Sequence, residues 1–319
     1  MQNEIQNIQP QDDEINLSEL GSILWAGKKI IISVATLCTL MALVFVLLTP
    51  NQYKSTVVVS PAQGGNKSML GSMATKIGGL ASLAGINVSG SEGIENQAAM
   101  EILQSWSFIE QFISNNNLEA EVFAVEGWNR ETNKLRYDSG LFDSQQNQWV
   151  RNPPVNKTVK PTSWELYKVF SEYLTVSIDS NTGLISISIE YYSPVIAKQW
   201  LDIYISAIND HMRVRKLEQV NSNIEYLEAQ IEKTAIAGMK EIFYQIIEEQ
   251  IKNKMLAEAS PEYAFVTISP AMTPEEKSSP KRALICMLAL LLGIIVSIFT
   301  VLIMHYSNQS DSHKTALES

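Results

Sequence analysis

The side chains able to do acid, base, nucleophilic or metal chemistry are few in this chain and poorly spaced for it. His211, His305 and His313 are the only histidines. They fall in a helical stretch, at the end of an apolar run and in a tail, with no cysteine beside them, so they make no zinc or catalytic set. Glu248 and Glu249 are adjacent, as are Asp12, Asp13 and Glu14. Neighbours on a helix point to different sides, which suits a solvated face and not an acid and base pair. The sequence Gly64-Gly65-Asn66-Lys67-Ser68 resembles a phosphate loop at a glance, but Asn66 stands where the glycine before the lysine is required. The nest of backbone amides that cradles phosphate is therefore not expected. Nucleophile elbows and dinucleotide fingerprints are missing as well. The expectation is a chain with no catalytic residue, no cofactor and no metal.

What the residues do provide is a way to hold a large segment at a membrane. Two uncharged apolar runs, 30–48 and 283–304, lie near opposite ends of the 319 residues. A helix needs roughly 20 apolar residues to cross about 30 Å of hydrocarbon, so each run is long enough, and the segment between them must lie on one side. The first run is too long for the apolar core of a signal peptide, and Leu48-Thr49-Pro50 offers no cleavage site, so it is expected to be retained. Lys28 and Lys29 directly precede it and place the N-terminus in the cytoplasm, whereas Lys281 and Arg282 oppose that orientation; the first span usually dominates. Within the second run Ala289, Gly293 and Ser297 recur every four residues and put small side chains on one helix face, where another helix can approach closely.

Composition narrows the class further. Cys38 and Cys286 are the only cysteines and both fall inside the apolar runs, so no disulfide framework holds the intervening segment. A net charge of -10 disfavours nucleic acid as a partner, since a phosphate backbone selects for a basic face.

The elements between the runs can be placed in order. Asn16 and Glu19 are spaced as a capping pair for a juxtamembrane helix. Residues 53–60 are β-branched and closed by Pro61, which predicts a strand. Residues 64–93 are rich in Gly, Ser and Ala and predict loop or short helices. Residues 95–114 carry apolar side chains at helical spacing, ended by Asn115-Asn116-Asn117. Residues 127–161, with Trp128, Trp149 and several prolines, predict an inserted loop anchored by aromatics; Trp164 follows, and stacking of these rings on carbohydrate is the lesser expectation. Residues 173–178 and 184–191 alternate around Asp179-Ser180-Asn181-Thr182-Gly183 and predict a hairpin. Ser193-Pro194 then opens a helix that would run about 97 Å if unbroken to residue 259. The 20 or so residues left to reach the second span cover at most roughly 70 Å of extended chain, so the helix must fold back, with 234–238 the expected turn. Leu217, Val220, Ile224, Leu227 and Ile231 form a stripe on the first arm, and Phe243, Ile247, Ile251 and Met255 one on the second. These stripes suit packing of the arms on each other or contacts between subunits.

With those landmarks in view the chain resembles the chain-length determinant family, the Wzz-type polysaccharide co-polymerases. The resemblance is carried by YQIIEEQIKNKMLAEASPEYAFVTISPAMTPEEKSSPKRALI at 244–285, by Tyr53-Lys54-Ser55, and by GGLASLAGI at 78–86, TGLISISI at 182–189 and SPVIAKQW at 193–200. It implies an α+β protein with a membrane-proximal α/β base and a long helical hairpin extension, flanked by two transmembrane helices. The expected organisation is a cytoplasmic tail at 1–29, a first span at 30–49, a periplasmic domain at 50–280 (base 50–192 and 261–280, hairpin 193–260), a second span at 281–305 and a cytoplasmic tail at 306–319. The resemblance also implies a homo-oligomeric ring in the bacterial inner membrane. Its partners would be the polysaccharide polymerase and lipid-linked polysaccharide, and it would regulate the modal length of lipopolysaccharide O-antigen without enzymatic activity. Pro270, Pro274, Pro280, Lys281 and Arg282 correspond to the family's proline-rich segment, and Ala289 and Gly293 to its small-residue span. The tail after the second span is too short for the kinase found in one branch. An exopolysaccharide or capsule component, or a periplasmic-hairpin transport adaptor, is the alternative.

Overall fold

The computed structural model describes residues 23–62 and 91–315, with side chains described at 23–62 and 97–304. In chain order the elements are α1 (Lys28–Leu48), β1 (Tyr53–Pro61), α2 (Ser91–Leu103), α3 (Trp106–Asn115), α4 (Glu119–Phe123), β2 (Val125–Asn129), β3 (Lys134–Tyr137), β4 (Phe142–Asp143), β5 (Gln148–Trp149), α5 (Ser163–Tyr173), β6 (Leu174–Ile178), β7 (Ile185–Tyr191), α6 (Pro194–Lys233), α7 (Ala237–Ala259), β8 (Phe265–Ser269) and α8 (Arg282–Thr315). The chain divides into two compact units, one of residues 1–49 with 279–319 and one of residues 50–278. The expected juxtamembrane helix at Asn16 and Glu19, the GGNKS sequence and GGLASLAGI lie outside the described residues.

In the first unit α1 and α8 pack against each other. The stretches Lys28–Leu48 and Arg282–Met304 have mean hydropathies of 2.8 and 2.9, and both are long and apolar enough to cross a membrane. Only 11% and 17% of their most apolar windows are buried, so these helices turn most of their apolar surface outward, unlike core helices of a water-soluble unit.

The second unit is built on a four-stranded antiparallel sheet in the order β6-β7-β1-β8. Alternation decides its faces. Ser55, Val57 and Val59 of β1, and Ile185, Ile187, Ile189 and Tyr191 of β7, are all buried, which is the period of two expected of strands with one covered face. The β6–β7 connection closes through Asp179 N–H to Leu184 O and Gly183 N–H to Asp179 O, with Gly183 at φ 69, a conformation glycine adopts without a Cβ clash.

The helices that cover the sheet start from recognisable caps. Ser193 Oγ accepts the Ile196 N–H, and Pro194 occupies the first turn of α6. Residues 95–114 do not form one helix as the spacing predicts. Ser105 takes an extended backbone and its Oγ accepts the Phe108 N–H, so a second helix begins there and redirects Phe108, Ile109, Phe112 and Ile113 into the core. The end of α3 is a left-handed cap, with Asn117 at φ 54 and Leu118 N–H bonded to Ile113 O.

Residues 127–161 are also more ordered than the expected loop. They hold β3, β4, β5 and most of β2, in two small antiparallel pairs, β2–β3 and β4–β5. Strands of two to five residues leave too little alternation to register in sequence.

The long helix breaks after Lys233. Thr234 and Ile236 take extended backbones and α7 resumes at Ala237. Gly238 lies inside α7 and is not the breaker; β-branched Thr234 and Ile236 occupy the turn instead. Helices α6 and α7 pack on each other, burying Val220, Leu227, Ile231 and Ala257.

Candidate functional site

Among the described residues no group of three or more His, Cys, Asp or Glu is placed to hold a metal ion. A shallow groove of about 490 Å³ is lined by Ala237, Lys240, Glu241, Tyr244, Gln245 and Glu248, all from the outer face of α7, and carries no nucleophile beside a base. The features with defined geometry among the described residues are packing faces and buried polar ties.

In the first unit the small-residue face of α8 lies toward α1. Gly293 and Ser297 are buried and Ala289 is half-buried. A Cβ at Gly293 would sit 3.1 Å from both the Ala35 Cα and the Cys38 Cβ, so only glycine admits α1 at this distance without displacement. Ser297 Oγ turns back to donate to Ile294 O and leaves no unmet hydroxyl in the interface. One partner of this contact escaped sequence reasoning: a Cβ at Gly27 would approach Val301 Cγ1 to 2.5 Å. The signal was a lone glycine just before an apolar helix. Lys28 Nζ stands 4.5 Å from the Trp25 ring centroid, a cation–π contact, and Lys29 is exposed. Lys281 is exposed and Arg282 half-buried.

The proline-rich segment is divided between the units. In the second unit Pro270 is exposed, Pro274 is half-buried, and Ala271 between them is buried. Ser55 Oγ donates to Met272 O at 2.9 Å, Ser278 N–H donates to Gln52 O at 2.9 Å, and Ser278 Oγ lies 2.7 Å from Glu190 Oε1. These bonds tie residues 272–278 to β1 and β7. Pro280 is half-buried within the first unit.

On the helical hairpin the stripe of the first arm faces the second: Leu227 and Ile231 are buried, and Leu217 and Ile224 half-buried. The second arm departs from expectation. Phe243 and Ile247 are half-buried, but Ile251 and Met255 are exposed, and Ala257 is buried instead. Steps of four residues turn about 400°, so a run of them drifts about 40° per step and leaves the contact; alternating threes and fours stay on it.

Two buried polar groups had no strong local signal. Arg151 is 5% exposed in its side chain, and its guanidinium meets both oxygens of Glu165, at 3.1 and 2.9 Å, while donating to the carbonyls of Thr158 and Val159. Lys157 adds a third cation contact to Glu165, which also closes a capping box with Thr162 at the start of α5. Hydrogen bonds from Arg151, opposed by burial, hold the Glu165 carboxyl well below the usual carboxylate range. The second group is Asn209, 2% exposed on α6. Its Oδ1 accepts the Ala264 and Phe265 N–H groups at 2.9 and 2.8 Å, and its Nδ2 donates to Phe265 O at 3.0 Å. The one clue in sequence was a polar residue among Ile205, Ile208 and Met212 on an apolar face.

Around these lies an aromatic core. Trp200 stacks on Tyr191 at 4.4 Å between centroids and Phe112 meets Tyr204 edge-on at 4.8 Å. Tyr191 and Tyr204 hydroxyls donate to Glu121 O and Leu103 O. Burial pushes both phenols well above their ordinary range and raises the Glu121 carboxyl, the last partly offset by a hydrogen bond from Trp200. Trp128 stacks edge-on with Tyr53 and Trp149 with Phe142, whereas Trp164 is 57% exposed and touches Tyr167.

Comparison with known proteins gives a family match over about a third of the chain. Residues 13–116 match the family model described as Wzz, chain length determinant protein. No curated protein matches the chain. Among solved structures, a full-length bacterial polysaccharide co-polymerase is similar at 15% identity and a TM-score of 0.36, over 92% of this chain and 99% of that one. A fragment of WzzB, the polysaccharide co-polymerase from Salmonella Typhimurium, is similar at 14% identity and 0.31, over 72% of this chain and 100% of that fragment.

Proposed function

We propose that this chain, whose residues 13–116 match the Wzz chain length determinant family model, is a member of that family and regulates the modal length of lipopolysaccharide O-antigen without catalysing its polymerisation. The observation that carries the reading is the family match over the first apolar helix and β1, in a chain whose second apolar helix, Arg282–Met304, is also long enough to span a bilayer. On this reading Lys28 and Lys29 hold the N-terminus in the cytoplasm, residues 50–280 lie in the periplasm, and the protein resides in the inner membrane as a multi-pass homo-oligomer. Exposed Tyr226, Ile251 and Met255 on the hairpin supply apolar surface for contacts between copies. Ala289, Gly293 and Ser297 pack the spans, and Pro270, Pro274 and Pro280 stiffen the approach to the second of them. The polymerase and its lipid-linked glycan are the partners. Deletion is expected to leave surface polysaccharide present but without its modal length on an electrophoretic ladder. Complete loss of polymer, or an unchanged ladder, overturns the reading.

A further inference from the structure

The hairpin leaves the sheet and returns to it at one place. Helix α6 packs on the core as far as Met212, beyond which its buried residues, from Val220 on, belong to the pair with α7. After α7 ends at Ala259, the chain re-enters the core at Ala264 and Phe265, which are 5% and 0% exposed. Asn209 stands between the departing and returning segments and satisfies three backbone groups of the latter. From there the chain runs through β8 and the tied residues 272–278 to Arg282, where the second apolar helix begins.

We propose that Asn209 is a positioning residue that couples the helical hairpin to the segment entering the second membrane helix. Three buried hydrogen bonds from one rigid amide allow α6 little movement at this level without moving Ala264 and Phe265 with it. The residues on either side of Phe265 pass the displacement to β1, where the Ala62 N–H donates to Ala264 O and Ser60 pairs with Val266, and Ser55, on β1, is bonded to Met272. An apolar side chain would pack at position 209 but would transmit nothing to the returning backbone, and it would leave three polar groups unmet. The inference rests on the chain-length reading for its biological outcome, while the coupling itself can be measured without it.

The experiment compares full-length protein, Asn209→Ala and Ser55→Ala. Amide hydrogen exchange in detergent is followed over residues 262–278, and polysaccharide ladders are run from cells carrying each form beside a deletion strain. Exchange at Ala264 and Phe265 in Asn209→Ala is expected to quicken about tenfold or more while 220–257 keeps its protection. The ladder should lose its modal peak although the protein accumulates and assembles. Ser55→Ala should quicken exchange at 272–278 and broaden the mode to a smaller degree. Should Asn209→Ala fail to accumulate, Asn209→Asp, which keeps the acceptor for the Ala264 and Phe265 N–H groups and loses the donor to Phe265 O, decides by the same two readouts. Unchanged exchange overturns the clamp. Faster exchange with a wild-type ladder overturns the coupling. A deletion strain with an unaltered ladder overturns the chain-length reading and leaves the clamp to be judged by exchange.

Discussion

Between Pro194 and Met212 helix α6 buries Ala197, Trp200, Leu201, Tyr204, Ile205, Ile208, Asn209 and Met212, and its aromatic rings meet Phe112 of α3 and Phe170 of α5. Between Val220 and Ile231 the same helix buries Val220, Leu227 and Ile231, and packs on α7. The backbone is continuous through both halves, so helix propensity does not separate them. Partners do. The proximal half touches elements that are distant in sequence, and its removal takes the core with it. The distal half relies on one neighbour, α7, joined by a short turn, and the outer faces of the pair keep Tyr226 of α6 and Tyr244 and Met255 of α7 in the open. A helix pair of that kind contributes little to the stability of the base, and its exposed apolar side chains remain free to contact other molecules.

The difference predicts a graded response to substitution. Trp200→Ala, at the centre of the proximal half, should cost about 3–5 kcal/mol and lower the unfolding midpoint of the whole second unit in chemical denaturation. Loss confined to the hairpin would contradict the contrast. Arg151→Met, which removes both guanidinium bonds to Glu165 and leaves Lys157 as its remaining cation, should cost about 3 kcal/mol in the same assay. It should also change the acid limb of the stability curve. Because the folded Glu165 carboxyl lies below its unfolded value, its contribution is present above about pH 4.3 and is lost as the pH falls below that, so the variant should show a flatter acid limb. The exposed pair Lys252–Glu248 on α7 is screened by water, and its disruption should leave that limb unchanged. Leu227→Ala should cost about 2 kcal/mol, and only locally, appearing as faster amide exchange over 217–257 with the base midpoint preserved. A matching fall in the base midpoint would show that hairpin and base unfold as one.

Legibility in the sequence follows the same division. Features written in local chemistry came through: the apolar lengths of α1 and α8, the alternation of β1 and β7, the Ser193-Pro194 start of α6 and the turn after Lys233. Those that depend on distant partners did not. Ser105 is one of many serines in a helical pattern until Phe108 must turn inward. Asn209 is an ordinary helix residue until Ala264 and Phe265 arrive beside it, 55 and 56 positions later. Arg151 draws its meaning from carbonyls seven and eight residues away and from a carboxylate fourteen away. The stripe on α7 was visible as a period, but spacings of four miss the contact that alternating threes and fours maintain.

Strand β8 carries one further lesson. It ends the order β6-β7-β1-β8, yet Phe265 has both backbone polar groups occupied by Asn209, and the Thr267 N–H donates to Glu262 Oε1. An incoming strand would have to evict two side chains before finding a free amide at either residue. Sheet continuation from copy to copy is therefore discouraged along this border, which protects the fold from strand exchange and open-ended stacking during synthesis and leaves recognition to side chains.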